Sequence, residues 1–193
     1  MIREIVHYDA PVLRAKGKEV GAITPEIRTL VDDLLDTMRE ERGVGLASQQ
    51  IGEALQLAVI DITGVKERPS KMWIKNTPVD PEEYMPLVLI NPVLKPTKTK
   101  VVSHEGCLSF PGLVLDIARA QRVGVKTRTL DGGTFEFDAA GLLGRAVLHE
   151  VDHLHGRLFI DHITAKERRE IREDLEYIKR ANRFRNGRRK NDS

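Results

Sequence analysis

The sequence predicts an α+β protein, with mixed and antiparallel β-sheets packed around a central helix and a charged C-terminal helix closing the chain. Three observations carry that reading. Short β-branched apolar runs come first and a nearly all-apolar helical segment follows, an order that lays one helix across sheets instead of alternating strand with helix. The "DGG" at Asp131–Gly133 joins two alternating segments as an antiparallel hairpin. From Thr164 onward acids and bases interleave around a thin apolar seam, the pattern of a helix docked along one edge.

The elements follow in order. In "PEIRTLVDDLLDTMREER", Ile27, Leu30, Val31, Leu34, Leu35 and Met38 recur at three- and four-residue steps, with Thr24 as cap, Pro25 at the first helical position and Gly43 as the stop. Strands are expected at "QLAVIDI", "LVLINPVL", "RVGVKTRTL" and "TFEFDA". A second helix runs from Asp138 as N-cap to Gly156, and it is apolar nearly all round, so it should be buried. A third helix runs from about Thr164 into the basic tail, docked by Ile171, Leu175 and Ile178. The proline- and charge-rich stretch from Lys66 to Met85 reads as a long surface excursion between two strands. Residues 1–163 form the expected catalytic unit and residues 164–193 a C-terminal helix and basic tail.

A chain of 193 residues buries enough surface for a substantial core. No secretory leader and no membrane-spanning apolar run is visible, so a soluble protein without membrane contact is expected. The single cysteine, Cys107, excludes an internal disulfide and fits a reducing compartment. Residues 177–193 hold seven lysines and arginines against one aspartate; against the whole-chain net charge of +2, this tail of +6 leaves −4 for the body. A basic end on an acidic body suggests a polyanionic partner, and a solvated helix end is the alternative.

The chemistry concentrates in "LHEVDHLHG", Leu148–Gly156. His149 and His153, four apart on a helix, lie on one face and can reach one ion, with Glu150 beside them. A third ligand is needed. Cys107 in "EGCLSFPG" is held in a turn by glycine and proline, and a thiolate with two imidazoles leaves a fourth position open, as in catalytic sites. Read alone, Cys107 could be a small buried hydrophobe and the histidines satisfied core residues. In "GVGLASQQIG" the paired glycines allow close backbone approach, and Gln49 or Gln50 could donate to a developing oxyanion.

Together "GVGLASQQ", "EGCLS" and "HEVDHLHG", in this order, resemble the three signature motifs of the peptide deformylases. The opening "HYDAPVLR", the "LINP" strand and "DGGTFEFDAAGLL" are similar too, so the likeness spans roughly residues 1–180. The resemblance implies hydrolysis of the formyl group from the N-terminal formylmethionine of new bacterial or organellar polypeptides, and the absence of an evident transit peptide favours the bacterial cytoplasm. It implies Cys107, His149 and His153 as ligands of one divalent ion, ferrous iron natively with zinc, nickel or cobalt able to substitute. Glu150 becomes the acid/base, and the Gln50 amide and Leu108 N–H meet the oxyanion. Gly43, Val44 and Gly45 would hold an extended peptide, with Val44, Leu142 and Ala146 lining the methionine pocket. The basic tail, residues 179–190, would dock on the ribosome near its exit.

Ser48, Gln49 and Leu148 depart from the family's usual residues, and the 66–85 excursion is longer than in compact members. Arg119 and Asp152 are expected to pair, tying the cysteine segment to the ligand helix. The sequence also admits two rivals: a zinc peptidase taking its third ligand from His155 or His162, and a metal-stabilised ribosome- or RNA-binding module.

Overall fold

A computed structural model of the chain describes residues 1–189, with side chains described as far as Asn182. Helix α1 (Pro25–Glu40) begins as expected: the Ile27 N–H donates to Thr24 Oγ1, and Pro25 stands in the first turn. Its end differs. Arg42, not Gly43, takes the left-handed conformation at φ 55°, and the Gly43 N–H closes the helix on the Met38 carbonyl at 2.8 Å.

The strands, in chain order, are β1 (Gly45–Ala47), β2 (Leu57–Ile60), β3 (Ser70–Ile74), β4 (Thr77–Val79), β5 (Leu87–Pro96), β6 (Lys100–Gly106), β7 (Val114–Ala120), β8 (Arg122–Arg128) and β9 (Thr134–Ala140). Seven of them form one sheet in the order β1-β2-β5-β8-β9-β3-β4, and β6 pairs with β7 as a separate ribbon. Every ladder is antiparallel. The four expected strands are β2, β5, β8 and β9.

The Lys66–Met85 stretch is a correction to the sequence reading. Within it β3 and β4 form a hairpin turned at Lys75 and Asn76, both at positive φ, and β3 extends the sheet by pairing Met72 with Ala139 of β9. Met72 is 1% exposed, so this segment anchors in the core while its flanks stay on the surface.

Helix α2 (Gly141–Leu154) starts later than an Asp138 cap predicts and ends before Gly156. Asp138 is not its cap but part of β9, where it pairs with Arg122 at 3.2 Å. The chain turns into the helix at Gly141, whose φ is 66° and where a Cβ would lie 2.1 Å from the Pro69 carbonyl oxygen. Gly156 takes φ 69° just beyond the helix end. Burial follows from the sequence: α2 crosses the sheet, and Leu143, Val147, Val151 and Leu154 pack with Ala58, Ile60 and Leu89. Alternation in β2 puts Leu57 and Val59 on the opposite face, against Leu34 and Met38 of α1. Both faces of this strand are therefore covered, which is why "LAVI" reads as a continuous apolar run.

The C-terminal helix is two elements, α3 (Ala165–Glu170) and α4 (Arg172–Arg189), interrupted at Ile171. The seam holds as expected: Ile171, Leu175 and Ile178 are buried with Phe110, Ile117 and Phe159 in a third cluster beneath the β6–β7 ribbon. Among the described residues no helix is long and apolar enough to cross a membrane.

Candidate metal centre

Helix α2, the turn after β6 and the 3-10 turn Ser48–Ile51 after β1 bring the candidate residues together. The ligating atoms of Cys107, His149 and His153 all lie within 4.8 Å of one another, and Cys107 Sγ is 3.3 Å from His153 Nε2. His149 donates through Nδ1 to Glu105 Oε2 at 3.0 Å, which turns its Nε2 toward the cluster. Cys107 is presented by a tight turn in which the Phe110 N–H donates to the Cys107 carbonyl at 2.8 Å.

The donor chemistry fits a divalent cation. Burial and the neighbouring His149 charge hold His153 well below the usual imidazole range, which keeps its ring neutral and able to ligate. His149 is equally buried, yet hydrogen bonding by Cys107 and Glu105 holds it well above that range, so a cation binding at its Nε2 would displace a proton there. Glu150 is 4% exposed, and its Oε2 has no hydrogen-bond partner among the described residues. Burial pushes its carboxyl up to about 7, and the Glu105 charge adds to the rise against the pull of His149 and Arg119. A buried carboxylate without a donor is costly, and beside a thiol and two imidazoles it is placed to handle a proton rather than to stabilise the fold.

Gly45 is where Glu150 packs: a Cβ at that position would stand 2.4 Å from Glu150 Oε1. A side chain there would displace the carboxylate.

Of the two adjacent glutamines, Gln50 faces the cluster. Its Oε1 accepts from the Ala47 N–H at 2.9 Å, which aims Nε2 at Ser109 Oγ (3.3 Å) and Cys107 Sγ (3.5 Å). Gln49 is turned away into the interior beside Gly17, with Oε1 accepting from Ser48. A cavity of about 630 Å³ opens above the cluster, and Val44, Leu108, Leu142 and Ala146 line it with His149 and Glu150. Leu108 Cδ1 also packs against Gly43.

The expected Arg119–Asp152 pair is present and buried, part of a network wider than the sequence reading foresaw. Glu105, also buried, receives Arg119 through Nε at 2.9 Å and Nη2 at 3.0 Å, Arg145 Nη1 at 2.7 Å, and His149. Against a burial penalty, His149 and Arg119 hold its carboxyl well below the ordinary carboxylate range. His162 sits 2.6 Å from Asp152 Oδ2, and together with Arg119 it holds Asp152 down to about 2 despite burial.

Glu105, Arg145 and His162 were not singled out from the sequence as parts of this network, nor was Ser109 as a partner of Gln50. Arg145 carried a usable signal, because an arginine within an otherwise apolar buried helix needs a buried acid. His162 is engaged by Asp152 and His155 bonds the Val151 carbonyl through Nδ1, so neither candidate for the rival ligand set joins the cluster.

A thiol and two imidazoles beside an unpaired buried carboxylate, on the floor of a cavity in an α+β fold, are the arrangement of a metallohydrolase. The family model for polypeptide deformylase matches residues 2–169, and the chain belongs to that family. It is 50% identical over 180 residues to a peptide deformylase of Methylacidiphilum infernorum, covering 93% of this chain and 94% of that protein. The fold is similar to the crystal structure of a peptide deformylase from Legionella pneumophila, with TM-score 0.79 and 35% identity over 94% of this chain and 97% of that one. It is also similar to Arabidopsis thaliana peptide deformylase 1B in complex with an inhibitor, with TM-score 0.81 and 34% identity over 95% and 94% of the two chains. The chain is accordingly a peptide deformylase, a hydrolase.

Proposed function

We propose that one divalent cation held by Cys107, His149 and His153 serves removal of the formyl group from the N-terminal formylmethionine of nascent polypeptides, with Glu150 as acid/base. The observation that carries this reading is the convergence of one thiol and two imidazoles beside a buried carboxylate that lacks a partner of its own. Such a cation, when bound, supplies a Lewis acid that polarises a carbonyl oxygen and lowers the pKa of water to about 7.

The chain's own groups do the rest. Glu150, with its carboxyl lifted to about 7, takes the proton of the attacking water and delivers it to the departing nitrogen. The formyl C–N bond breaks, a C–O bond forms, and formate leaves with a free amino terminus. Gln50 Nε2, aimed by its bond to Ala47, and the Leu108 N–H meet the charge that grows on the formyl oxygen. Gly43, Val44 and Gly45 offer backbone along which the peptide lies as an added strand, while Val44, Leu142 and Ala146 enclose the methionine side chain. His162 and His155 have other partners, which argues against the zinc-peptidase rival.

The native cation is ferrous iron, with zinc, nickel or cobalt able to replace it, and the protein works in the bacterial cytoplasm. Residues 179–190 dock the enzyme on the ribosome near the exit of the nascent chain; their side chains from Arg183 onward lie outside the described residues. The test is formate release from a formylated methionyl peptide by anaerobically prepared protein, with bound metal analysed in parallel. Cys107→Ala should lose both metal and activity. Retention of metal by that variant would remove Cys107 from the ligand set.

A further inference from the structure

Arg68 enters the active-site cavity from the stretch read as a surface excursion. Its Nη2 donates to the His104 carbonyl at 3.1 Å and lies 3.5 Å from Ser103 Oγ, so the side chain is fastened to β6 from outside that strand. Among the described residues it has no carboxylate within ion-pair distance. The contrast with Arg145 in the same cavity is direct: that guanidinium is buried and saturated by Glu105 and the carbonyls of Val101 and Ile117. Arg68 is half-buried, held in place, and has charge to spare. The acids that reach the rim, Glu4 and Glu41, come from other segments.

Resting on the deformylase reading and its methionine pocket, we propose that Arg68 is a specificity residue that favours nascent chains with an acidic side chain at the third position. Side chains of an extended peptide alternate, so the first and third residues point to the same side about 7 Å apart. With methionine between Leu142 and Ala146, the third side chain leaves on the methionine's side of the peptide, and Arg68 lines the same cavity as those two residues. A guanidinium anchored through one nitrogen and otherwise unpaired suits a carboxylate.

The experiment compares formyl-Met-Ala-Glu-Ala with formyl-Met-Ala-Lys-Ala as paired substrates of the metal-loaded full chain, following kcat/KM for formate release. Wild-type protein should prefer the glutamate peptide by about two- to fivefold at low salt, the size expected of a partly exposed ion pair. The preference should lie in KM and fade as added salt screens it. Arg68→Gln should abolish it and Arg68→Glu should reverse it, both read as ratios within one preparation and so independent of the amount of active enzyme. A wild-type ratio of one, or a glutamate preference that survives Arg68→Gln, would overturn the assignment. No formate from either peptide would instead strike at the deformylase reading.

Discussion

Replacing Glu105 by glutamine keeps the side-chain volume and removes one charge from the centre of the buried network. Arg119 and Arg145 then face an amide where they had a carboxylate, at positions where both guanidinium groups are nearly excluded from solvent. Taking one partner from a buried ion pair costs about 3–5 kcal/mol, and no cavity adds to it because the shape is conserved. For a domain of this size that corresponds to a fall in Tm of roughly 6–20 °C. His149 simultaneously loses the charged acceptor that fixes its ring, so cation affinity should drop by about 10- to 100-fold. The pH dependence has a definite sign. Glu105 is held below its ordinary value of 4.5, so its stabilisation is complete above that pH and is lost as pH falls toward the folded-state value. The gap between wild type and Glu105→Gln should therefore be full at pH 7 and narrow in acid. Urea unfolding of metal-free protein across pH, with competition against a chromophoric chelator, measures both effects. A stability loss under about 1 kcal/mol together with unchanged affinity would refute the view that this carboxylate holds the two metal-bearing segments together.

Three further outcomes are expected. Glu150→Gln should retain metal and lose nearly all formate release. It should also stabilise the metal-free fold at pH 8 by up to about 3 kcal/mol, but not at pH 4: a carboxyl raised from 4.5 to about 7 destabilises the fold progressively as pH climbs through that window. An equal effect at both pH values would show that Glu150 is not held protonated by burial. Gly45→Ala should cut kcat by about a hundredfold with metal content unchanged, because its Cβ would stand 2.4 Å from Glu150 Oε1 and push the carboxylate aside; near-normal kcat would show that Glu150 has room to relax. Truncation after Ile178, which keeps the docking seam, should leave hydrolysis of a short formylated peptide nearly unchanged while reducing co-sedimentation with ribosomes at low salt. Undiminished co-sedimentation would mean the tail is only a solvated helix end.

Much of this was legible in the sequence where periodicity and capping agree. Helix α1 begins at Thr24 and Pro25 because the cap, the proline and the apolar spacing all point to the same start. The ligand helix was legible from its near-complete apolarity, and Cys107, His149 and His153 from spacing and chemistry. What escaped was non-local. The β3–β4 hairpin hides among prolines and charges, and only its register with β9 reveals Met72 as core. The start of α2 was misplaced because Asp138 is a good cap by composition, whereas pairing across β8 and β9 carries the strand through Ala140. Glu105 has no distinguishing local pattern; nothing in the neighbouring residues tells that Arg119, Arg145 and His149 converge on it from β7 and α2. The choice of Gln50 over Gln49 likewise depends on one backbone bond, from the Ala47 N–H, that residue types alone do not specify.

The most direct test follows both possible products from one substrate. Anaerobically purified protein, loaded with ferrous iron, is mixed with formyl-Met-Ala-Ser, and formate and peptide fragments are quantified together before and after adding chelator. Cation-dependent deformylation gives stoichiometric formate and intact Met-Ala-Ser, with both signals ending on chelation. Cleavage of an internal peptide bond with the formyl group retained, or formate release that continues after the metal is removed, would contradict it.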